Sequence, residues 1–163
     1  MDVFEAIRTR RSVRAFTGEA IPREDLEKIV DAGRLAATGS NKQPWDFIVV
    51  TERAMIDQLK TASQWMEKAA AIIAVVMDPE SRWWVEDGAA AVQNMLLAAT
   101  ALGYGSCWLE GYTLRNEDAF KALLGVPAEK RLMTLVPIGV PVEWPTKEKK
   151  SLEEVIHWEK YCV

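Results

Sequence analysis

The sequence predicts a single α+β domain, and three of its features support that fold class. Residues 69–77 and 131–141 are apolar runs with β-branched residues, which is typical of buried strands. Residues 84–102 form a long apolar segment rich in alanine, as expected of a central helix. Because the predicted helices and strands do not alternate strictly, the pattern favours an α+β fold over a doubly wound α/β fold.

The first half of the chain has two predicted helices before its first strand. Asp2 and Glu5 have the spacing of a capping box, which predicts a short helix that ends near Arg8. Pro22 marks the start of a second helix, whose apolar stripe continues as far as Ala36. The two elements that follow are a strand at 45–51 and a short helix near 53–62.

The second half of the chain is divided by glycine and proline residues. The predicted elements are, in chain order, a strand at 69–77, a helix at 84–102, a strand at 104–111 that ends in a loop, a helix at 116–125 and a strand at 131–141. Gly103 and Gly125 are expected to end the two helices, because glycine commonly follows a helix C-terminus. Glu86 and Asp87 are interpreted as charges that favour the N-terminal end of the long helix. Residues 142–163 form a polar tail within the same domain, 1–163.

The composition argues against several classes of function. A formal net charge of -4 and a pI near 5.2 disfavour a general nucleic-acid-binding protein. No run approaches the roughly 20 apolar residues of a membrane span, so we expect no membrane insertion. Two cysteines and one histidine leave little scope for a metal site. Without a secretion signal at the N-terminus, we expect a cytoplasmic protein with reduced thiols.

Three arginines fall within the five residues RRSVR, 10–14. Taken alone, this segment is either a solvated basic turn or an anion-binding site. Arginine can bind a phosphate through two parallel hydrogen bonds, and the hydroxyl of Ser12 adds another donor. The lysine-rich segment KEKK, 147–150, is more typical of a solvated face when it is considered alone.

Residues 36–50, AATGSNKQPWDFIVV, connect the second helix to the first strand. Small, hydroxyl and amide side chains precede the rigid step Gln43-Pro44-Trp45, whereas a plain connector needs only about two to six residues. Two interpretations stay open, namely a decorated loop with a structural tryptophan and a loop that contacts a ligand.

Residues 103–112, GYGSCWLEGY, lack the glycine spacing of a dinucleotide fingerprint. Gly111 is consistent with close approach of the backbone to a flat group, or with a plain turn at a strand end. His157 is the single histidine and lies near the end of the sequence, so no catalytic triad is expected. The tryptophans that could line a substrate site, but are more typical of core or interface positions, are Trp65, Trp83 and Trp84.

Five segments occur in the order seen in FMN-dependent nitroreductases, and together they carry a resemblance to that family. They are RTRRSVRAFTGEAIP, AATGSNKQPWDFIVV, DGAAAVQNMLLAATALGYGSCW, LEGY, and VPIGVP followed by KEKK. The resemblance covers nearly the whole chain, which looks like a compact member. It implies a central mixed or antiparallel sheet flanked by helices, in an intertwined homodimer with FMN at the interface. It also implies that the tail, from about 142 to 163, packs on the partner subunit.

The resemblance assigns the phosphate and ribityl end of FMN to three consecutive residues, Arg10, Arg11 and Ser12. Arg14 would reach the pyrimidine edge of the flavin. Lys147 and Lys149 correspond to a Lys-x-Arg phosphate pair in which lysine replaces arginine. Because lysine lacks the bidentate fork, a weaker hold on the phosphate is expected.

The resemblance also assigns contacts with the FMN that is held mainly by the other subunit. The residues concerned are Ala37, Thr38, Gly39, Asn41 and Gln43. Ala37 and Thr38 depart from the proline and serine usual at these positions. Glu110 and Gly111 match the segment whose backbone amides face flavin N5.

The activity implied by the resemblance is two-step hydride transfer through flavin N5, from NADH or NADPH to a small, flat acceptor such as a nitroaromatic or a quinone. One alternative is a branch of the family with a specialised substrate, such as reductive dehalogenation or flavin destruction. Another is a flavoprotein reductase that receives electrons from a ferredoxin- or flavodoxin-like protein. A binding module without activity is the least supported.

Overall fold

The structure is a computed structural model, and it describes residues 1–60 and 64–161. Its α-helices are α1 (Val3–Thr9), α2 (Arg23–Arg34), α3 (Arg53–Leu59), α4 (Trp84–Ala101), α5 (Glu110–Arg115) and α6 (Glu117–Leu124). Its strands are β1 (Trp45–Val50), β2 (Ala71–Met77), β3 (Gly105–Ser106) and β4 (Arg131–Gly139). The strands form one sheet in the order β1-β2-β4-β3, and every neighbouring pair is antiparallel. The predicted α+β fold class is confirmed. The helix predicted near 53–62 includes residues 61 and 62, which lie outside the described residues.

The central strands β2 and β4 are buried on both faces of the sheet, which explains why they are continuously apolar. Ile73, Val75 and Met77 of β2 pack against α2 and α4 on one face. The alternate residues of β2 pack with α3 and α6 on the other face. Burial on both faces removes the hydrophobic–polar alternation that an antiparallel sheet shows when one face meets water.

Helix α4 lies at the centre of the fold because its small residues allow close packing on two sides. A Cβ atom added to Gly33 of α2 would lie 2.8 Å from Cγ of Met95 in α4. A Cβ atom added to Gly88 would lie 2.4 Å from Sδ of Met133 in β4. The composition of α4 therefore sets the distances at which α2 and the sheet approach it.

The predicted strand at 104–111 is wrong over most of its length. Strand β3 contains only Gly105 and Ser106, and Glu110 and Gly111 begin α5 instead of a loop after a strand. The N–H of Cys107 still donates to the carbonyl of Pro137 at 3.2 Å. Pro137 has no N–H to return, so the regular antiparallel ladder is interrupted there. It resumes only as a single bridge, in which the N–H of Leu109 donates to the carbonyl of Leu135 at 3.0 Å.

The tail after β4 has no helix or strand among its described residues, 142–161. It begins beside the N-terminal segment, where the N–H of Val142 donates to the carbonyl of Ala15 at 3.0 Å. Several of its large side chains are exposed, namely Leu152, Val155, Trp158 and Tyr161. Within the described part of the chain, no helix is both long enough and apolar enough to cross a membrane.

Candidate functional site

The N-terminal basic segment is held against β3 by backbone and side-chain contacts. The N–H of Val13 donates to the carbonyl of Ser106 at 2.9 Å, and the Val13 side chain is fully buried. Gly105 leaves room for that side chain, because a Cβ atom there would lie 2.7 Å from Cβ of Val13. Anchoring of Val13 leaves its neighbours on either side, Ser12 and Arg14, partly or fully accessible.

A groove of about 490 Å³ brings the two ends of the predicted phosphate site together. All six residues assigned to that end of the cofactor line it, namely Arg10, Arg11, Ser12, Arg14, Lys147 and Lys149. The five cationic side chains face one carboxylate in the lining, that of Glu143. The groove is therefore strongly positive in a protein whose net charge is -4.

Arg11 has a different local role from its neighbours. Its Nε donates to the carbonyl of Lys147 at 3.0 Å, and its Nη1 donates to the carbonyls of Arg8 and Arg10 at 2.8 Å each. These bonds attach the tail to the C-terminal end of α1. Arg10 and Arg14 make no side-chain hydrogen bond to the described residues 1–60 and 64–161, so their donors remain available to a ligand.

Cys107 is a buried thiol that lies behind the basic groove. Burial raises the pKa of this thiol, and the nearby Arg14 and Arg10 act in the opposite direction. Since burial has the larger effect, the thiol is expected to remain protonated at neutral pH, as suits a small core residue.

The connector between α2 and β1 is a strained loop, residues 37–43. Ser40, Asn41 and Gln43 have φ values of 51°, 55° and 51°, which lie in the left-handed region. Left-handed conformations are costly for residues other than glycine and concentrate at functional sites. The loop is closed by the hydroxyl of Thr38, which accepts from the N–H of Gln43 at 3.2 Å. Thr38 therefore supplies the hydroxyl that a serine would provide at this position.

Asp87 of helix α4 and Trp83, which precedes that helix, contact the loop at Gly39. The Oδ1 atom of Asp87 accepts from the N–H of Gly39 at 3.0 Å. A Cβ atom at Gly39 would lie 2.4 Å from Cδ1 of Trp83, so glycine is needed for the indole to reach the backbone. Farther along α4, Nδ2 of Asn94 donates to the carbonyl of Ala32 at 3.0 Å.

Sequence reasoning missed both the hydrogen bond from the loop to Asp87 and the hydrogen bond from Asn94 to α2. Asp87 and Asn94 are seven residues apart, which places them on one face of a helix. The available signal was that spacing of two polar residues in a helix that is apolar over most of its length. Trp83 had no comparable signal, because its contact with Gly39 depends on the tertiary fold.

The loop residue Gln43 lies at a different cavity from the one that the basic residues line. Gln43 lines a separate cavity of about 420 Å³ with residues near the start of β1 and the end of β2. Glu110 is half-buried and Gly111 is exposed at the start of α5. A Cβ atom at Gly111 would meet only the Arg115 side chain, at 3.9 Å, so the backbone there is open to approach.

Comparison with known proteins agrees with this architecture. The model of the nitroreductase family matches residues 7–65 and 57–140. A protein of Archaeoglobus fulgidus, provisionally named NADH dehydrogenase/NAD(P)H nitroreductase, is 37% identical over 98% of this chain and 99% of its own length.

Two solved structures extend the similarity to the fold. A protein of Bacteroides thetaiotaomicron with the same provisional name superposes with a TM-score of 0.90 at 27% identity, covering 98% of each chain. A protein of Desulfovibrio desulfuricans, provisionally named a nitroreductase and solved in complex with FMN, superposes with a TM-score of 0.84 at 31% identity, covering 99% of each chain.

The antiparallel sheet, the central helix and the basic groove together define an oxidoreductase fold. The chain belongs to the nitroreductase family, as the match across most of its length shows.

Proposed function

We propose that this chain is an FMN-dependent NAD(P)H oxidoreductase that reduces nitroaromatics, quinones or similar flat acceptors. The observation that carries the proposal is the convergence of five cationic side chains and Ser12 in one groove. A phosphate monoester carries about two negative charges near neutral pH, so this set of donors fits the phosphate of FMN. The relative solved in complex with FMN and the relatives named NAD(P)H nitroreductases support the same assignment.

The residues proposed to hold the phosphate and ribityl end are Arg10, Ser12, Lys147 and Lys149, with Arg11 fixing the tail beside them. Arg14 is proposed to lie at the pyrimidine edge, where a cation stabilises negative charge on the reduced ring. Bound FMN would supply the hydride chemistry, accepting a hydride at N5 and passing it on. The chain itself has to bind, orient and shield the cofactor, and it needs no catalytic acid, base or nucleophile of its own.

The loop residues are proposed to contact an FMN held mainly by the partner subunit. They are Ala37, Thr38, Gly39, Asn41 and Gln43, and the backbone of Glu110 and Gly111 is proposed to face N5. The separation of loop and groove within one chain supports a homodimer, because a second copy can complete each site. The exposed tail is proposed to pack on that copy.

The direct test is to purify the protein, reconstitute it with FMN and mix it anaerobically with NADH and with NADPH. We expect a flavin spectrum with stoichiometric FMN, bleaching by at least one nicotinamide, and return of colour when a nitroaromatic or a quinone is added. A protein that remains colourless after reconstitution contradicts FMN dependence. A flavoprotein that neither nicotinamide bleaches would instead support a ferredoxin- or flavodoxin-like electron donor.

A further inference from the structure

Asp87 is a buried carboxylate that the proposed chemistry does not use. It is 5% exposed and lies in the first turn of α4. Its Oδ1 accepts one hydrogen bond, from Gly39, and its buried Oδ2 has no hydrogen-bond partner among the described residues. A buried carboxylate is costly, and an apolar side chain of similar size is often at least as stabilising. General stability is therefore a weak reason for a carboxylate at this position.

The hydrogen bond to Asp87 acts on the most constrained point of loop 37–43. The Asp87 carboxylate accepts from the N–H of Gly39, and the Trp83 ring occupies the space where a side chain of residue 39 would begin. Ser40 and Asn41, which follow immediately, both have left-handed backbones. Such conformations persist only where the surroundings determine them. Asp87 is thus placed to determine the conformation of the whole loop.

We propose that Asp87 is a positioning residue that holds loop 37–43 in the conformation that contacts FMN. This inference rests on the proposed function, which assigns the loop to the cofactor. A loop that is ordered before binding avoids the loss of conformational freedom that a mobile loop would incur on binding. The carboxylate therefore increases the affinity for FMN without touching it.

Asn94 provides a matched control on the same helix. Its side chain donates to a backbone carbonyl at 3.0 Å, the same length as the Asp87–Gly39 bond. Its partner is Ala32 in α2 and not the loop. Removal of either side chain costs one hydrogen bond to the backbone, but only removal of Asp87 frees the loop.

The test uses the full-length variants D87A, D87N and N94A. Hydrogen exchange of the peptide that covers residues 37–43 is measured without FMN, and the Kd for FMN is measured by quenching of flavin fluorescence. For D87A we expect faster exchange in the loop and an FMN affinity lowered roughly tenfold or more, as loss of a charge-assisted hydrogen bond implies. For N94A we expect lower stability, wild-type exchange in the loop and an FMN affinity within about twofold of wild type.

D87N keeps an oxygen acceptor without the charge, so its FMN affinity should lie between those of wild type and D87A. If D87A fails to fold, D87N replaces it in the test. The inference is overturned if removal of Asp87 leaves the FMN affinity unchanged, or if N94A weakens binding as much as D87A. A wild-type protein that binds no FMN overturns the proposed function itself, and the inference with it. The two failures are therefore distinguishable.

Discussion

Neighbouring arginines in the basic groove have separate roles. Arg11 donates to three backbone carbonyls and joins α1 to the tail, whereas Arg10 and Arg14 make no side-chain hydrogen bond within the described part of the chain. A guanidinium that already donates to carbonyls has fewer donors to offer a phosphate. The sequence pattern RRSVR is compatible with an anion-binding segment but does not separate these roles, because Lys147, whose carbonyl accepts from Arg11, is 136 residues away in the sequence.

Arg10→Ala is expected to weaken FMN binding with little effect on folding. Loss of one charge-assisted contact to a phosphate corresponds to about 1.5–3 kcal/mol, or roughly tenfold or more in Kd. The measurements are flavin fluorescence quenching and thermal unfolding of the apoprotein. Arg23→Ala is the control, since it removes the same charge from an exposed pair with Glu27 outside the groove. An unchanged Kd for Arg10→Ala would refute the phosphate assignment.

Gly39→Ala is expected to displace loop 37–43. The new Cβ would lie 2.4 Å from Cδ1 of Trp83, so either the loop or the indole has to move. We expect a loss of stability of about 1–3 kcal/mol from overpacking, together with weaker FMN binding. The measurements are urea unfolding and flavin titration.

The double variant Gly39→Ala/Trp83→Ala tests the cause. If the clash is responsible, removal of the indole should recover part of the loss, and the two substitutions should be non-additive. Strict additivity would show that Gly39 is required for another reason.

At the scale of elements, the sequence predicted the strands and helices wherever a single apolar pattern determines them. Strand β2 is buried along its whole length and helix α4 over most of its length, so each is visible in the sequence as a long apolar run. The segment after Gly103 was not predictable in this way, since Cys107, Trp108 and Leu109 are as apolar as a strand. Pro137 cannot return a hydrogen bond to Cys107, which interrupts the ladder after β3, and the two residues become partners only when the sheet has formed.

The start of α6 is tied to the start of β4 by a carboxylate–guanidinium pair. Arg131 donates to Glu117 through Nε and Nη2 at 2.8 Å each, and the N–H of Leu132 donates to the same carboxylate at 3.0 Å. The hydrogen bonds from Arg131, opposed in part by burial, lower the pKa of the Glu117 carboxyl from its ordinary value of 4.5. This carboxylate therefore stabilises the fold only while it is ionised.

The sign of the pH dependence follows from that lowered pKa. The contribution of Glu117 to the free energy of unfolding is complete above pH 4.5, the ordinary value, and is lost as the pH falls through the lower folded-state value. Glu117→Gln should be less stable than wild type at pH 7, and the difference should narrow on acidification. Denaturant unfolding at several pH values measures this difference in the free energy of unfolding. The control is Glu27→Gln, which removes a carboxylate from an exposed ion pair. A difference that is constant with pH would contradict the role of the carboxylate.

At the scale of the whole molecule, two apolar surfaces remain exposed. One is on α1, where Val3, Phe4 and Ile7 are each more than half exposed. The other is on the tail, which includes Trp158 and Tyr161 with exposed fractions of 76% and 81%. Large apolar side chains that are exposed close together in the sequence are candidates for an interaction site. In the proposed homodimer, a second copy would cover these side chains and complete each cofactor site.

Removal of residues 151–163 is expected to weaken the dimer and FMN binding together. The truncated chain keeps Lys147 and Lys149, so any loss of FMN affinity would not come from the phosphate cations. Because a site shared by two subunits is complete only in the dimer, we expect FMN release on dilution to occur at a higher protein concentration than for the full chain. Light scattering after size exclusion measures the mass, and flavin fluorescence across a dilution series measures release. A truncated chain that remains dimeric with unchanged FMN affinity would show that the tail does not pack on the partner. If the dimer dissociates and FMN is released over the same range of protein concentration, assembly and cofactor binding are coupled.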